Sequence, residues 1–126
     1  MSLVLDAGAL VAIERADRDT MALVKREWLA GRTPLTHGGI LGQVWRGGAG
    51  RQAHLAKLLP ALEVVALDET LGRRAGVLLG RARMRDVIDA ALVLLATHDD
   101  ALLTSDAGDL SRLAAAAGLH IDVVPV

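Results

Sequence analysis

The chain has 126 residues, 52% of them apolar and 23% charged, with 14 Lys+Arg against 15 Asp+Glu for a formal charge of −1. That length and balance suit one globular domain and exclude both a disordered tail and a globally basic nucleic-acid binder. There is no cysteine, which excludes disulfides, zinc–thiolate sites, iron–sulfur clusters and thiol catalysis, so any metal is held by oxygen or imidazole.

Leu3 to Leu5 predicts a short strand closing at Asp6, and Ala7 to Ile13 a helix entered through small residues. No basic segment precedes that strand, and no uncharged apolar run approaches the roughly 18 residues of a membrane span, so a cytoplasmic protein without membrane contact is expected. Residues 17–31 predict an amphipathic helix with Met21, Val24, Trp28 and Leu29 on one face and Gly31 as its stop. Thr33 to Thr36 reads as extended and residues 38–46 as helical. Arg46-Gly47-Gly48-Ala49-Gly50-Arg51 then breaks the chain before a helix over 51–59 that ends near Pro60.

Glu63 to Leu67 predicts a strand, followed by a helix over 68–83 with Asp68 as N-cap and Leu71, Ala75, Leu78 and Ala82 on its apolar stripe. Residues 87–97 predict a helix apolar nearly all round, and therefore buried. Ala101 to Thr104 is a strand, residues 106–117 a helix stopped by Gly118, and residues 121–124 a closing strand. The alternation predicts a single α/β domain over residues 1–126 with a mostly parallel sheet of four or five strands.

In open parallel sheets, ligands collect at the carboxyl ends of the strands. Asp6 closes the first strand and Asp106 follows the fourth. Asp89 is the only charge on the apolar helix, and no Lys or Arg lies on that helix to pair with it. A buried carboxylate is costly unless it is paired, hydrogen-bonded or bound to a metal. Three carboxylates at one sheet edge repel one another unless they share a cation. Oxygen ligands without a cysteine or histidine pattern favour Mg²⁺ or Mn²⁺, an arrangement suited to phosphodiester hydrolysis. A purely structural reading stands beside this one: Asp86 with Asp89, and Asp106 with Asp109, each have the spacing of an N-cap and a first-turn acid, and Asp6 can be a turn residue.

The segments Leu5-Asp6-Ala7-Gly8-Ala9-Leu10, Gly42-Gln43-Val44-Trp45-Arg46-Gly47-Gly48, Arg85-Asp86-Val87-Ile88-Asp89-Ala90 and Leu103-Thr104-Ser105-Asp106, in that order, resemble a PIN domain of the VapC toxin type. The resemblance spans essentially the whole chain and rests on order and spacing rather than on any one motif. It implies a three-layer α/β/α fold and a Mg²⁺- or Mn²⁺-dependent endoribonuclease, often a homodimer, silenced by a VapB-type antitoxin. By the same resemblance Asp6, Asp89 and Asp106 are catalytic and hold the metal, with Asp86 and Asp109 as supporting acids. Arg46 and Arg85 are candidates to meet the RNA substrate. The departure is Gln43, which stands where the family has Glu. Its amide offers a carbonyl oxygen but no charge and no basic function. Impaired ribonuclease activity is therefore expected, and a catalytically inactive PIN module that binds antitoxin or RNA without cleavage is the alternative.

Gly72, Gly76 and Gly80 recur every four residues along one stripe of the 68–83 helix, at roughly 1 kcal/mol each relative to Ala. That cost suggests something packed close against the stripe, whether a neighbouring helix or another chain. The Gly-rich segment 46–51 lacks the Lys-Ser/Thr of a P-loop, so it reads as a helix break. Trp45 reads as core or groove packing. His37, His54, His98 and His120 show no ligand spacing and read as surface or capping residues. Arg73, Arg74, Arg81, Arg83 and Arg85 form the densest basic region, either a solvated helix face or an RNA-facing patch.

Overall fold

A computed structural model describes all of residues 1–126. Five parallel strands form one sheet in the order β3-β2-β1-β4-β5: β1 Leu3–Leu5, β2 Leu35–His37, β3 Glu63–Val65, β4 Ala101–Thr104 and β5 Asp122–Pro125. The helices are α1 Ala7–Glu14, α2 Arg18–Leu29, α3 Gly38–Val44, α4 Ala53–Leu58, α5 Glu69–Ala82, α6 Val87–Val93 and α7 Ala107–Ala116. Strand order runs outward from β1 to β3, then returns to β4 on the other side of β1. With right-handed crossovers this reversal places α1–α4 on one face of the sheet and α5–α7 on the other. The contacts agree, with α1 touching α2, α3 and α4 while α5, α6 and α7 pack on one another. The three-layer PIN-like α/β expectation holds, and the sheet is fully parallel.

β1 and β4 are buried along their whole length, whereas the edge strands β3 and β5 are partly exposed. All 24 buried apolar residues are aliphatic, as the scarcity of aromatics requires. The two tryptophans are half-buried, and the Trp28 indole N–H donates to the Ala61 carbonyl at 2.9 Å, which satisfies its polar end. No helix is long and apolar enough to cross a membrane.

The structure departs from the sequence pattern at several ends. α6 stops at Val93 rather than 97 because Asp100, 4% exposed, captures the chain beyond it. Its Oδ2 accepts from the Thr97 N–H and hydroxyl, and its Oδ1 accepts from the Ser2 N–H. α3 ends at Val44 because Trp45 is extended. β3 ends at Val65, short of Leu67. On α2 the buried residues are Thr20, Val24 and Glu27, while Leu29 is 80% exposed. Glu27 is buried because Arg32 pairs with it, Nε to Oε2 at 2.5 Å. The Asp68 cap forms as expected, accepting from the Leu71 N–H at 2.9 Å.

The glycine stripe of α5 faces open space, since a Cβ added at Gly72, Gly76 or Gly80 meets nothing within 4 Å. No neighbouring helix of this chain packs there. With helical dihedrals and free space, replacing Gly76 by Ala removes backbone entropy from the unfolded chain without strain. Gly76→Ala is expected to raise the free energy of unfolding by about 0.5–1 kcal/mol, measured by urea titration.

Candidate metal centre

The strand order reverses between β1 and β4, and the carboxyl ends of these two strands carry Asp6 and the turn to Asp106. Ligand crevices of parallel sheets form at such a reversal. Asp6 is 5% exposed and caps α1. Its Oδ1 accepts from the Ala7 N–H at 2.7 Å, and its Oδ2 accepts from the Thr104 hydroxyl at 2.5 Å. The same Thr104 oxygen accepts from the Asp106 N–H at 2.8 Å. One buried hydroxyl thus fixes both acidic positions relative to each other.

Asp106 precedes α7 but makes no side-chain cap hydrogen bond. The structural reading of Asp106 as an N-cap fails, and its carboxylate is left uncommitted. Asp109 lies one turn on, half-buried. Asp86 does cap α6: its Oδ1 accepts from the N–H groups of Ile88 and Asp89 at 3.0 and 3.1 Å. Asp89 is the third residue of that helix and 8% exposed. Carboxylate oxygens of Asp89, Asp106 and Asp109 lie within 4.8 Å of one another. Asp6 is outside that trio but near enough to Asp89 to act on its charge. Burial pushes the Asp89 carboxyl up to about 7, and the charges of Asp86, Asp6, Asp106 and Asp109 push in the same direction.

Three converging carboxylates, one of them buried among like charges, fit a hard divalent cation better than any other occupant. Of the sequence-predicted ligands, Asp89 and Asp106 would hold such an ion together with Asp109, which was expected only as a supporting acid, and Asp6, outside the trio, would complete the set from beside them.

Of the two readings of His37, surface or capping, the structure bears out capping and not the surface. It is fully buried at the end of β2, and its Nδ1 accepts from the Gly39 N–H at 3.0 Å, capping α3. Its Nε2 therefore carries the proton and donates to the Ile88 carbonyl at 2.9 Å. That bond ties the first turn of α6, and so Asp89, to the start of α3.

Gln43 stands exposed on the last turn of α3, lining a cleft together with Gly8, Val11 and Ser105. Gly8 is required there: a Cβ at this position would meet the Ser105 hydroxyl oxygen at 2.6 Å. The first turn of α1 and the β4–α7 turn are in direct contact. Arg46 also lines the cleft, with Nη1 donating to the carbonyls of Trp45 and Gly42 at 2.6 and 3.3 Å. The Trp45 ring covers Gly48, whose Cβ would collide with it. Arg85 is exposed immediately before the Asp86 cap.

This sheet order, with a cluster of carboxylates beside its reversal point, matches a PIN-like α/β fold. No protein-family model and no curated protein matches the chain. Among solved structures it is similar to the crystal structure of VapBC2 from Rickettsia felis bound to a DNA fragment from their promoter, with a TM-score of 0.71 over 98% of each chain. Identity over that alignment is 14%, so the likeness is one of fold alone.

The raised Asp89 carboxyl gives a signed pH dependence. The folded chain binds that proton more tightly than the unfolded chain, whose carboxyl titrates near 3.8. In the absence of divalent ions Asp89 therefore contributes no penalty below about pH 4, a growing one up to about 7, and a constant one above. Asp89→Asn is expected to raise Tm at pH 8 and to leave it nearly unchanged at pH 4. Thermal melts in chelator across that range read the difference directly.

Proposed function

We propose that the chain is a Mg²⁺- or Mn²⁺-dependent endoribonuclease, the toxin of a VapBC-type pair acting in the cytoplasm. The observation that carries this reading is the convergence of the Asp89, Asp106 and Asp109 carboxylates beside Asp6 at the sheet reversal. In this reading Asp6, Asp89 and Asp106 are the catalytic acids and hold the metal, Asp109 joins them, and Asp86 fixes the turn that presents Asp89. When bound, the divalent ion would supply a lowered pKa for an attacking water and neutralise charge on the phosphate.

The chain's own groups do the rest. Asp6 is held in one orientation by the Ala7 N–H and the Thr104 hydroxyl, so it needs no reordering when substrate arrives. Asp106, free of capping duty, can turn toward a ligand. Arg46 and Arg85 supply guanidinium donors for phosphate oxygens. Gln43 orients by its amide but takes no proton from water, which limits the rate.

The partner in this proposal is a DNA-binding antitoxin, by analogy with the VapBC2 complex on promoter DNA, and the toxin is a homodimer. A second reading, a PIN module that binds antitoxin or RNA without cutting, is favoured by the neutral side chain at position 43 on the cleft wall.

Cleavage of a structured RNA with and without Mn²⁺ tests both. The expected result is slow Mn²⁺-dependent cleavage, abolished by Asp89→Asn or Asp106→Asn. Gln43→Glu is expected to raise the rate by about 10²-fold, the lower range for general-base assistance. No cleavage by either the present chain or the Glu variant would leave the binding-only reading. A Glu variant that cuts no faster and binds Mn²⁺ no tighter would remove position 43 from the site.

A further inference from the structure

The two residues that end β2, Thr36 and His37, are polar yet fully buried, and neither has a part in the proposed chemistry. Burying such groups is costly unless their polar atoms are paired, and an aliphatic pair would fill the space without that cost. Both are paired with the same kind of group. The Thr36 hydroxyl donates to the Leu5 carbonyl at 2.9 Å, and the His37 Nε2–H donates to the Ile88 carbonyl at 2.9 Å. Each carbonyl belongs to the peptide group that leads directly into a carboxylate of the centre, Leu5 into Asp6 and Ile88 into Asp89.

The other side of each peptide group is held as well. The Asp6 N–H donates to the Leu103 carbonyl at 3.0 Å, and the Asp89 N–H donates to Asp86 Oδ1 at 3.1 Å. A peptide group is planar, so holding its oxygen and its hydrogen together fixes the orientation of the Cα that follows, from which the carboxylate projects. Successive strand side chains leave opposite faces of a sheet, so adjacent residues can serve the layer of α1 and the layer of α6.

On the α6 side the approach is close. Gly39 is needed beside His37, because a Cβ there would meet Ile88 Cδ1 at 2.6 Å and His37 Cε1 at 2.9 Å. His37 Nδ1 accepts from the N–H of the same Gly39 at 3.0 Å, which fixes the tautomer that donates to Ile88. The ring cannot leave the Ile88 carbonyl without also giving up the α3 cap.

We propose that Thr36 and His37 are positioning residues of the acidic centre, a clamp at the end of β2 that sets how the Asp6 and Asp89 carboxylates face each other and thereby the affinity for a divalent cation. The inference rests on the metal-dependent reading. Polar groups that orient metal ligands from behind are worth about 10–100-fold in metal affinity.

The test sets a variant of the full chain that removes each donor beside one that keeps it. Thr36→Val removes the hydroxyl at nearly constant shape, and Thr36→Ser retains it. His37→Asn still caps α3, as Asn does well, but is too short to reach Ile88. His37→Gln puts an amide N–H near the Nε2 position and loses the cap. Mn²⁺ affinity, by calorimetry, is expected to fall about tenfold or more in Thr36→Val and His37→Asn. It is expected to stay at the parent's value in Thr36→Ser and His37→Gln, whatever their Tm. Ile13→Val, a core truncation in α1 away from the clamp, is expected to lower Tm and leave the affinity unchanged. In chelator, ¹⁵N relaxation dispersion is expected to show new μs–ms exchange at Asp89 in His37→Asn and at Asp6 in Thr36→Val, and in neither donor-keeping variant.

Affinities that simply follow Tm across these variants, or Asp6 and Asp89 amides that stay quiet in both donor-less variants, overturn the proposal. A parent that binds no Mn²⁺ refutes the metal reading, and the clamp then stands if the new exchange is confined to those amides and falls if it is absent. A parent and variants that all bind Mn²⁺ equally well refute the clamp alone.

Discussion

The hydroxyl of Thr104 joins segments 98 residues apart, donating to Asp6 at 2.5 Å while accepting the Asp106 N–H at 2.8 Å. That arrangement depends on β1 pairing with β4 in register, Leu3 to Ala101, Val4 to Leu102 and Leu5 to Leu103, because only then does Thr104 arrive beside Asp6. Both strands are fully buried, so a one-residue slip would turn their aliphatic side chains out of the core and is strongly disfavoured. The hydrophobic pairing of two short strands therefore sets the position of Asp6 relative to Asp106, and the rest of the site is arranged around that seam.

What the seam holds is unfavourable by itself. Asp89 is buried among four other carboxylates, and every influence on it disfavours the charged form. A fold under selection for stability alone would place an alanine there, as it does at the neighbouring Ala90 and Ala91, both fully buried. Perturbed carboxyls of this kind concentrate at sites where stability is given up for chemistry, and the proposed nuclease reading gives this one that purpose. Two devices keep the cluster in place: the Asp86 cap under the first turn of α6, and the His37 imidazole that holds the Ile88 carbonyl.

Much of this was legible in the sequence, for reasons that are local. Strands end where aliphatic runs meet Asp6 and, past Thr104 and Ser105, Asp106. Asp89 stood out as a lone charge on an otherwise apolar helix, and Asp68 and Asp86 cap where the sequence suggests them, whereas Asp106, at the same spacing as Asp86, makes no cap hydrogen bond. The capping role of His37 was legible, but its bond to Ile88 and the contributions of Gln52 and Asp100 were not, because these act through hydrogen bonds to residues far along the chain that no periodicity encodes. Leu29 shows the same limit from the other side, since the residue buried on that turn is Glu27, made buriable by Arg32 across the helix end. The joining of Asp109 to Asp89 and Asp106 likewise depends on how α6 and α7 meet, a tertiary fact.

The central claim is that an uncompensated acidic centre exists to take a divalent cation, and calorimetric titration of Mn²⁺ at pH 7 in buffers of different ionisation enthalpy tests it most directly. With the Asp89 carboxyl near 7, binding of one ion is expected to release about half a proton, and Asp89→Asn is expected to abolish that release and weaken binding. Absence of Mn²⁺ binding, or binding of equal strength and equal proton release in Asp89→Asn, would contradict it.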